Sequence, residues 1–197
     1  MTLKRIMPLI LIVAGTVGLV CSFALMYDHI KLLTNPHYIP SCDLNPVVSC
    51  GSVISSNEGS LLFGLPNPLF GIAAFAVVIT VGVAMLAGAT FKRWFWLGFE
   101  ASVLLGIGAV HFLIYQSVYR LNALCPFCMV VWTIVIPLFW YVTLYNIEQE
   151  FIKLPKGRIT TVGNFARKHH LDILVLWFLI ISGLILKHFW YYYGKHL

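Results

Sequence analysis

Residues 125–145, "CPFCMVVWTIVIPLFWYVTLY", join two cysteines three positions apart to a long uncharged run. About 20 consecutive apolar residues are needed to cross the hydrocarbon core of a bilayer as a helix. The run that starts at Pro126 is long enough, and proline is favoured at the first position of a helix. We therefore predict a membrane-spanning helix from Pro126 to Tyr145, with Cys125 as its N-cap and Cys128 in its first turn.

Four further runs have the same apolar character. In chain order they are Ile6–Met26, Leu69–Phe91, Trp94–Tyr119 and Ile173–Leu186. The last run is short. It reaches spanning length, as Leu171–Tyr193, if the side chains of Asp172 and Lys187 extend to the two membrane–water interfaces. With 60% hydrophobic residues, 10% charged residues and a mean hydropathy of +0.89, the composition is that of an integral membrane protein. The net charge of +6 does not indicate nucleic-acid binding, because the basic residues form short clusters between apolar runs.

The basic residues predict the orientation of these spans. With the N-terminus in the cytoplasm, nine lysines and arginines fall on the cytoplasmic side and four on the other, as the positive-inside rule favours. The outer side then receives the connectors Asp28–Pro68 and Arg120–Leu124. Four cysteines are expected on that extracytoplasmic face: Cys42, Cys50, Cys125 and Cys128. Disulfides form and persist in such a compartment, whereas Cys21 lies inside the first span and is expected to be a packing residue.

The first connector contains "SCDLNPVVSC", residues 41–50, in which seven residues separate Cys42 from Cys50. This spacing permits a disulfide but does not prove one. After it we predict a short helix from Cys50 to about Asn57, stopped by Gly59, that lies on the bilayer or dips into it; an irregular loop is the alternative. Asn67 and Pro68 are typical helix-start residues, so Asn67 is either a plain N-cap of the second span or a site residue.

Three kinds of site are compatible with the four cysteines: a zinc site, a set of buried thiols, and a thiol–disulfide relay. Structural zinc sites usually have two closely spaced pairs, and the spacing of Cys42 and Cys50 is wide. Four buried free thiols on one oxidising face are unexpected. The N–H groups at the start of a helix favour the reactive thiolate form of Cys125 and Cys128. We favour a relay in which one pair meets soluble proteins and the other meets a lipid-soluble two-electron carrier, for which a quinone fits.

Three motifs together resemble the vitamin K epoxide reductase family in its bacterial form. They are "SCDLNPVVSCGSVISS" at 41–56, "NPLFG" at 67–71 and "CPFC" at 125–128, and the likeness extends over Ile12–Ile147. The resemblance implies an all-α integral membrane protein of the bacterial cytoplasmic membrane. Its expected architecture is a four-helix transmembrane bundle around a quinone pocket plus a fifth transmembrane helix, with an extracytoplasmic loop and half-helix as a cap.

The resemblance also implies a domain division and a partner. Residues 1–147 would form the core with the cap at 28–68, residues 148–170 a basic cytoplasmic connector, and residues 171–197 the fifth helix and a short tail. Many members continue into a thioredoxin-like domain, whereas this chain ends four residues after Tyr193. We therefore expect a separate thioredoxin-like or DsbA-like protein as the redox partner.

The roles of the four cysteines follow from the resemblance. Cys50 is expected to exchange with the partner, and Cys42 is expected to attack Cys125 afterwards. Cys128 would then deliver electrons to the quinone, ubiquinone or menaquinone. The chain would thus be a thiol:quinone oxidoreductase that drives disulfide formation in secreted proteins, without a metal.

Further residues match positions of the family's quinone pocket: Ser56, Asn67, Phe70 and Trp132. Asn67 is expected to donate a hydrogen bond to a quinone carbonyl. Trp132 stands where the vertebrate enzymes have tyrosine, and the missing hydroxyl weakens the case for epoxide reduction. His111 in the third span is either a proton relay to the quinone or a core histidine whose hydrogen bonds are satisfied.

The alternatives to this function are a vitamin K quinone or epoxide reductase and a zinc-binding scaffold without enzyme activity. DsbB-type enzymes use the same kind of relay through two cysteine pairs, but their CxxC pair comes first in the chain. Here the widely spaced pair comes first.

Overall fold

The computed structural model describes residues 3–35, 37–56, 64–152 and 165–193. Its helices are α1 Leu3–Thr34, α2 Cys50–Ile54, α3 Asn67–Leu86, α4 Arg93–Tyr115, α5 Pro126–Glu148 and α6 His170–Tyr193. Five of them, all except α2, are long and apolar enough to cross a membrane. The prediction of an all-α, multi-pass membrane protein is confirmed. An isolated parallel β-bridge joins Val48 and Leu124.

Helices α1 and α3 pack closely along their length because small residues lie at their contact. A Cβ atom added at Gly15 of α1 would come within 2.6 Å of the Ile79 side chain on α3. In the same way, a Cβ atom at Gly82 of α3 would come within 2.8 Å of the Ile12 side chain. Small residues allow the backbones of membrane helices to approach each other, so this pair forms one wall of a bundle.

Helix α5 completes the bundle by packing against both α1 and α4. Its residues Trp132 and Ile136 are buried in the middle of the bundle together with Val110 of α4. Further along, Val142 of α5 is buried against Trp96 of α4. Helices α1, α3, α4 and α5 therefore form the predicted four-helix bundle.

Helix α6 lies on the outside of this bundle and is tied to α4 and the turn that follows it. The indole Nε1 of Trp177 donates to Nε2 of His111 at 3.0 Å. Nearer the other end of α6, His188 Nε2 lies 2.7 Å from Asn122 Oδ1. Phe189 is fully buried, although much of the rest of α6 is exposed. This is the position expected for an additional fifth span.

The first helix is longer than the sequence predicts. The predicted span ends at Met26, whereas the helix α1 that contains it continues to Thr34 and has 32 residues. At 1.5 Å per residue such a helix is about 48 Å long, whereas the hydrocarbon core is roughly 30 Å thick. The last turns of α1 therefore extend beyond the apolar layer, and the connector starts at Asn35 rather than at Asp28.

The ends of α3 also differ from the prediction. Asn67 is the first residue of α3 and Pro66 is the N-cap, so the assignment of Asn67 as N-cap is wrong by one position. The helix ends at Leu86 rather than at Phe91. The reason is Gly88, whose φ of 89° is the left-handed conformation that commonly terminates helices.

The remaining helix ends are close to the predicted ones. Helix α4 continues as a π-helical turn, Gln116–Leu121, which ends at the left-handed Asn122. Helix α5 begins at Pro126 with Cys125 as N-cap, as predicted. The short helix α2 begins at Cys50 as predicted but already ends at Ile54. Its predicted continuation through Asn57 to Gly59 lies outside the described residues.

Candidate functional site

Cys42 and Cys50 form a disulfide in the connector, and their Cα atoms are 5.7 Å apart. A turn between them makes this possible. The side chain of Asn45 accepts the backbone N–H groups of Val47 at 2.9 Å and Val48 at 2.8 Å. Asparagine favours such turns because its side chain can replace a backbone acceptor. The segment "SCDLNPVVSC" therefore folds back on itself and brings the two cysteines together.

The connector is docked onto the segment that precedes α5. Leu124 N donates to Val47 O at 2.7 Å, and Ser49 N donates to Leu124 O at 3.0 Å. As a result, the sulfur of Cys50 lies 3.5 Å from the sulfur of Cys125, and both residues are fully buried. We call the end of the bundle that carries these cysteines the thiol end, and the other end the opposite end.

The cysteine that lies next to Cys125 is not the one expected from the sequence. The expected order brings Cys42 to Cys125, with Cys50 facing the partner. In the structure Cys50 is the half of the loop disulfide that touches Cys125. Cys42 lies instead beside Asp28 of α1, with 3.8 Å between its sulfur and Asp28 Oδ2. The backbone pairing at Leu124 places Cys50, the first residue of α2, against the start of α5, and this contact favours Cys50 over Cys42 as the neighbour that exchanges with Cys125.

Cys125 and Cys128 are free thiols at the start of α5. The backbone N–H of Cys128 donates to the sulfur of Cys125 at 3.3 Å. The pKa of the Cys125 thiol is lowered, first by the hydrogen bond from the Cys128 side chain and then by the backbone N–H groups of Cys128 and Phe127, while burial opposes the change. Cys125 is therefore the better thiolate of a reactive pair, as the position at a helix start predicts.

A large cavity opens between α1, α3, α4 and α5. Its volume is about 720 Å³, which lies in the range typical of ligand pockets. The wall is almost entirely apolar, and Cys128 is part of it. Three of the predicted pocket residues, Asn67, Phe70 and Trp132, line the cavity as well. An apolar cavity with a thiol and a few polar groups on its wall fits a lipid-soluble quinone.

Two other predicted pocket residues have different surroundings. The hydroxyl of Ser56 donates to Val53 O at 2.7 Å, next to the end of α2. The ring of His111 faces α6 rather than the cavity. Since the Trp177 indole can only donate, Nε2 of His111 accepts, and the ring proton lies on Nδ1, 2.9 Å from Ile107 O. Both ring nitrogens of His111 therefore have hydrogen-bond partners, which agrees with its interpretation as a core histidine.

Two residues that line or adjoin the site were missed from the sequence. His29 of α1 lines the cavity, and Asp28 lies next to Cys42. The hydroxyl of Tyr38 donates to Asp28 Oδ1 at 2.9 Å, and this hydrogen bond is the main cause of a raised Tyr38 pKa. The missed signal is the helical spacing of Leu25, His29 and Leu32, which continues the pattern of α1 beyond its uncharged part.

The zinc alternative requires four thiolates, and the Cys42–Cys50 disulfide removes two of them. Across residues 3–35, 37–56, 64–152 and 165–193, no group of three or more histidine, cysteine, aspartate or glutamate side chains is arranged to hold a metal ion.

Comparison with known proteins gives one family. The sequence model described as "Vitamin K epoxide reductase family" matches residues 9–143, which is more than half of the chain. The matched segment contains the loop disulfide, the Cys125–Cys128 pair and the residues that line the cavity. No curated protein matches the chain.

Proposed function

As the chain belongs to the vitamin K epoxide reductase family, whose members carry out disulfide and quinone redox chemistry in membranes, we propose that it is a thiol:quinone oxidoreductase. It takes two electrons from the dithiol of a thioredoxin-like or DsbA-like protein and gives them to a membrane quinone. The partner leaves as a disulfide that can oxidise secreted proteins. The observation that carries this proposal is the 3.5 Å distance between the sulfurs of Cys50 and Cys125, which joins two cysteine pairs into one path.

The electrons enter at the loop disulfide. A thiolate of the partner attacks Cys42, a mixed disulfide forms, and the electron pair of the Cys42–Cys50 bond leaves on Cys50. Cys50 then attacks Cys125 of an oxidised Cys125–Cys128 pair, the Cys50–Cys125 bond forms, and Cys128 leaves as a thiolate. The second thiolate of the partner displaces Cys42 from the mixed disulfide, and Cys42 attacks Cys50, which restores the loop disulfide and releases Cys125 as a thiol. Thiol–disulfide exchange requires the attacking sulfur to reach the attacked one directly, which the contact between Cys50 and Cys125 provides.

The electrons leave at the cavity. A quinone accepts two electrons and two protons when it is reduced. Cys128 lies on the wall of the cavity and delivers the electron pair, while Cys125 forms the new disulfide with it. Asn67 donates a hydrogen bond that orients the head group, and His29, a titratable side chain on the same wall, donates a proton.

The proposal includes a location and a domain division. The thiol end faces the extracytoplasmic side of a bacterial cytoplasmic membrane, and the N-terminus lies in the cytoplasm. The support is the excess of lysine and arginine on the predicted inner segments. Residues 1–147 act as the catalytic core, residues 148–170 connect it on the inner side, and residues 171–197 add the fifth helix.

A thiol count tests this function. The purified protein is fully reduced, freed of reductant and mixed with excess short-chain ubiquinone, and free thiols are counted before and after. The expected result is the loss of four thiols, with Cys21 remaining free. An unchanged count would contradict the proposed function.

A further inference from the structure

Asp28 is a buried carboxylate that the relay described above does not use. It lies in the last turns of α1 and is 4% exposed. The phenol of Tyr38 donates to its Oδ1. Its Oδ2 faces the sulfur of Cys42 at 3.8 Å, and a disulfide sulfur carries no proton that could form a hydrogen bond there. Among the residues that the structure describes, no lysine, arginine or histidine forms an ion pair with Asp28.

A buried charge without a counterion is costly, which makes a functional role the natural explanation. We propose that Asp28 is a positioning residue that directs the partner's attack to Cys42 and the departing electron pair to Cys50. The proposal rests on the relay function, because it concerns the step in which the loop disulfide is opened.

The loop disulfide can be opened in two ways by an attacking thiolate. When Cys42 is attacked, the bond between the attacking sulfur and Cys42 forms, the Cys42–Cys50 bond breaks, and Cys50 receives the electron pair. When Cys50 is attacked, the electron pair ends on Cys42, 3.8 Å from the carboxylate oxygen. Two anions at this distance in a buried place repel each other strongly, and a sulfur on which negative charge is destabilised is the slower leaving group.

Attack on Cys42, the favoured outcome, is also the one that the relay requires. The thiolate that it produces on Cys50 lies 3.5 Å from Cys125, where the next exchange takes place. A thiolate on Cys42 would lie beside α1, without a described contact to the Cys125 sulfur. The charge of Asp28 therefore selects the direction of electron flow toward the cavity.

Other charged or titratable groups adjoin this region, and each is engaged elsewhere. Asp43 accepts the backbone N–H of Gly51 at 2.9 Å. Lys31 lies over the ring of Tyr27, 5.4 Å from its centroid. Tyr38 is the donor to Asp28, and Cys125 contacts Cys50 rather than Cys42. Asp28 is thus the group whose charge faces the Cys42 sulfur.

The first test measures the effect of the charge on Cys42 itself. In the full chain with Cys50→Ala, Cys42 is a free thiol, and its alkylation by iodoacetamide is followed by mass spectrometry as a function of pH. We expect Asp28→Asn to lower the midpoint by about one pH unit, which raises the rate at pH 7 about tenfold. Tyr38→Phe is the control, because it removes the hydrogen bond to Asp28 and keeps the charge, and it should not lower the midpoint. An unchanged midpoint in Asp28→Asn, or an equal fall in Tyr38→Phe, would overturn the proposal.

The second test measures the direction of attack. The protein with its loop disulfide intact is mixed briefly with glutathione, quenched with acid and digested, and the glutathione adducts on Cys42 and Cys50 are compared. We expect the adduct on Cys42 in the unaltered chain, and at least about a tenfold rise in the Cys50:Cys42 ratio in Asp28→Asn. An even distribution in the unaltered chain, or the same ratio in both, contradicts the proposal. Neither test uses a quinone, so their failure is distinguishable from failure of the proposed function, which the thiol count reports.

Discussion

Two carboxylates, one at each end of the bundle, have the same chemistry and different surroundings. At the opposite end, Glu100 of α4 accepts the Thr143 hydroxyl at 2.6 Å and the Asn146 amide at 2.8 Å, so both of its oxygens are bonded to α5. At the thiol end, Asp28 has one oxygen bonded to Tyr38 and the other facing the sulfur of Cys42.

The difference separates a structural group from a reactive one. A carboxylate whose two oxygens both accept hydrogen bonds holds two helices together and has no oxygen available for a reaction. A carboxylate that faces a redox sulfur changes the energy of every step that places charge on that sulfur. The opposite end should therefore respond to substitution through stability, and the thiol end through rates and redox direction.

The largest effect is expected at Cys128. Cys128→Ser removes the sulfur on the cavity wall, and quinone reduction should fall by roughly a thousandfold or more because the group that delivers electrons is lost. The measurement is quinone absorbance in the presence of a small dithiol. Cys21→Ser, in the middle of α1, is the control and should keep its rate. Substantial activity in Cys128→Ser would contradict the assigned exit of the electrons.

One histidine on α1 and one on α4 have different surroundings, and replacing each shows which of them delivers a proton to the quinone. His29 lines the cavity, whereas His111 is bonded to Trp177 on α6. His29→Gln should lower the rate of quinone reduction on the order of a hundredfold through loss of a proton donor. His111→Gln should leave the rate close to that of the unaltered chain. The reverse pattern would assign the proton relay to His111 instead.

A smaller effect concerns the pH dependence of Cys125. Its lowered pKa means that the thiolate is already populated below the pH range of an ordinary thiol, so alkylation should rise at a correspondingly lower pH. Since the Cys128 side chain is the main cause, Cys128→Ala should move the midpoint upward and slow alkylation at pH 7 about tenfold. Iodoacetamide rates in the reduced protein give both midpoints. Equal midpoints would contradict this origin of the lowered pKa.

The smallest effect on activity is expected at Glu100. Glu100→Ala removes the carboxylate that joins Thr143 and Asn146 of α5 to α4, which should cost about 1–3 kcal/mol of stability. Thermal unfolding in detergent should show a lower midpoint, while the rate of quinone reduction per folded molecule stays the same. Ser102→Ala is the matched control on α4, since that hydroxyl bonds only within its own helix. A large loss of rate without loss of stability would contradict the structural role of Glu100.

The fold could be predicted from hydropathy because lipid imposes a simple rule on length and composition. All five spans were found in this way, and Pro126 correctly predicts the start of α5. The end of α1 could not be found, since hydropathy reports which residues contact lipid and not where a helix stops. Asp28 and His29 therefore fell into a predicted loop, although they lie on a helix.

The candidate site was predicted only in part for a different reason. The four cysteines and three cavity residues follow from local motifs, whereas the neighbour of Cys125 depends on backbone hydrogen bonds between Val47, Ser49 and Leu124. Leu124 is more than seventy positions away from both Val47 and Ser49 in the sequence. When a contact depends on backbone pairing between distant segments, the spacing of cysteines along the chain does not show which cysteine of a disulfide lies next to a third cysteine.

A crosslinking experiment shows whether Cys50 or Cys42 passes electrons to Cys125, and we expect Cys50. Two triple variants are compared under mild oxidation, both with Cys21→Ala and Cys128→Ser. The first also has Cys42→Ser and keeps Cys50 with Cys125, while the second has Cys50→Ser and keeps Cys42 with Cys125. The 3.5 Å contact predicts rapid and nearly complete disulfide formation in the first variant and little in the second. Faster crosslinking of Cys42 to Cys125 would contradict the account.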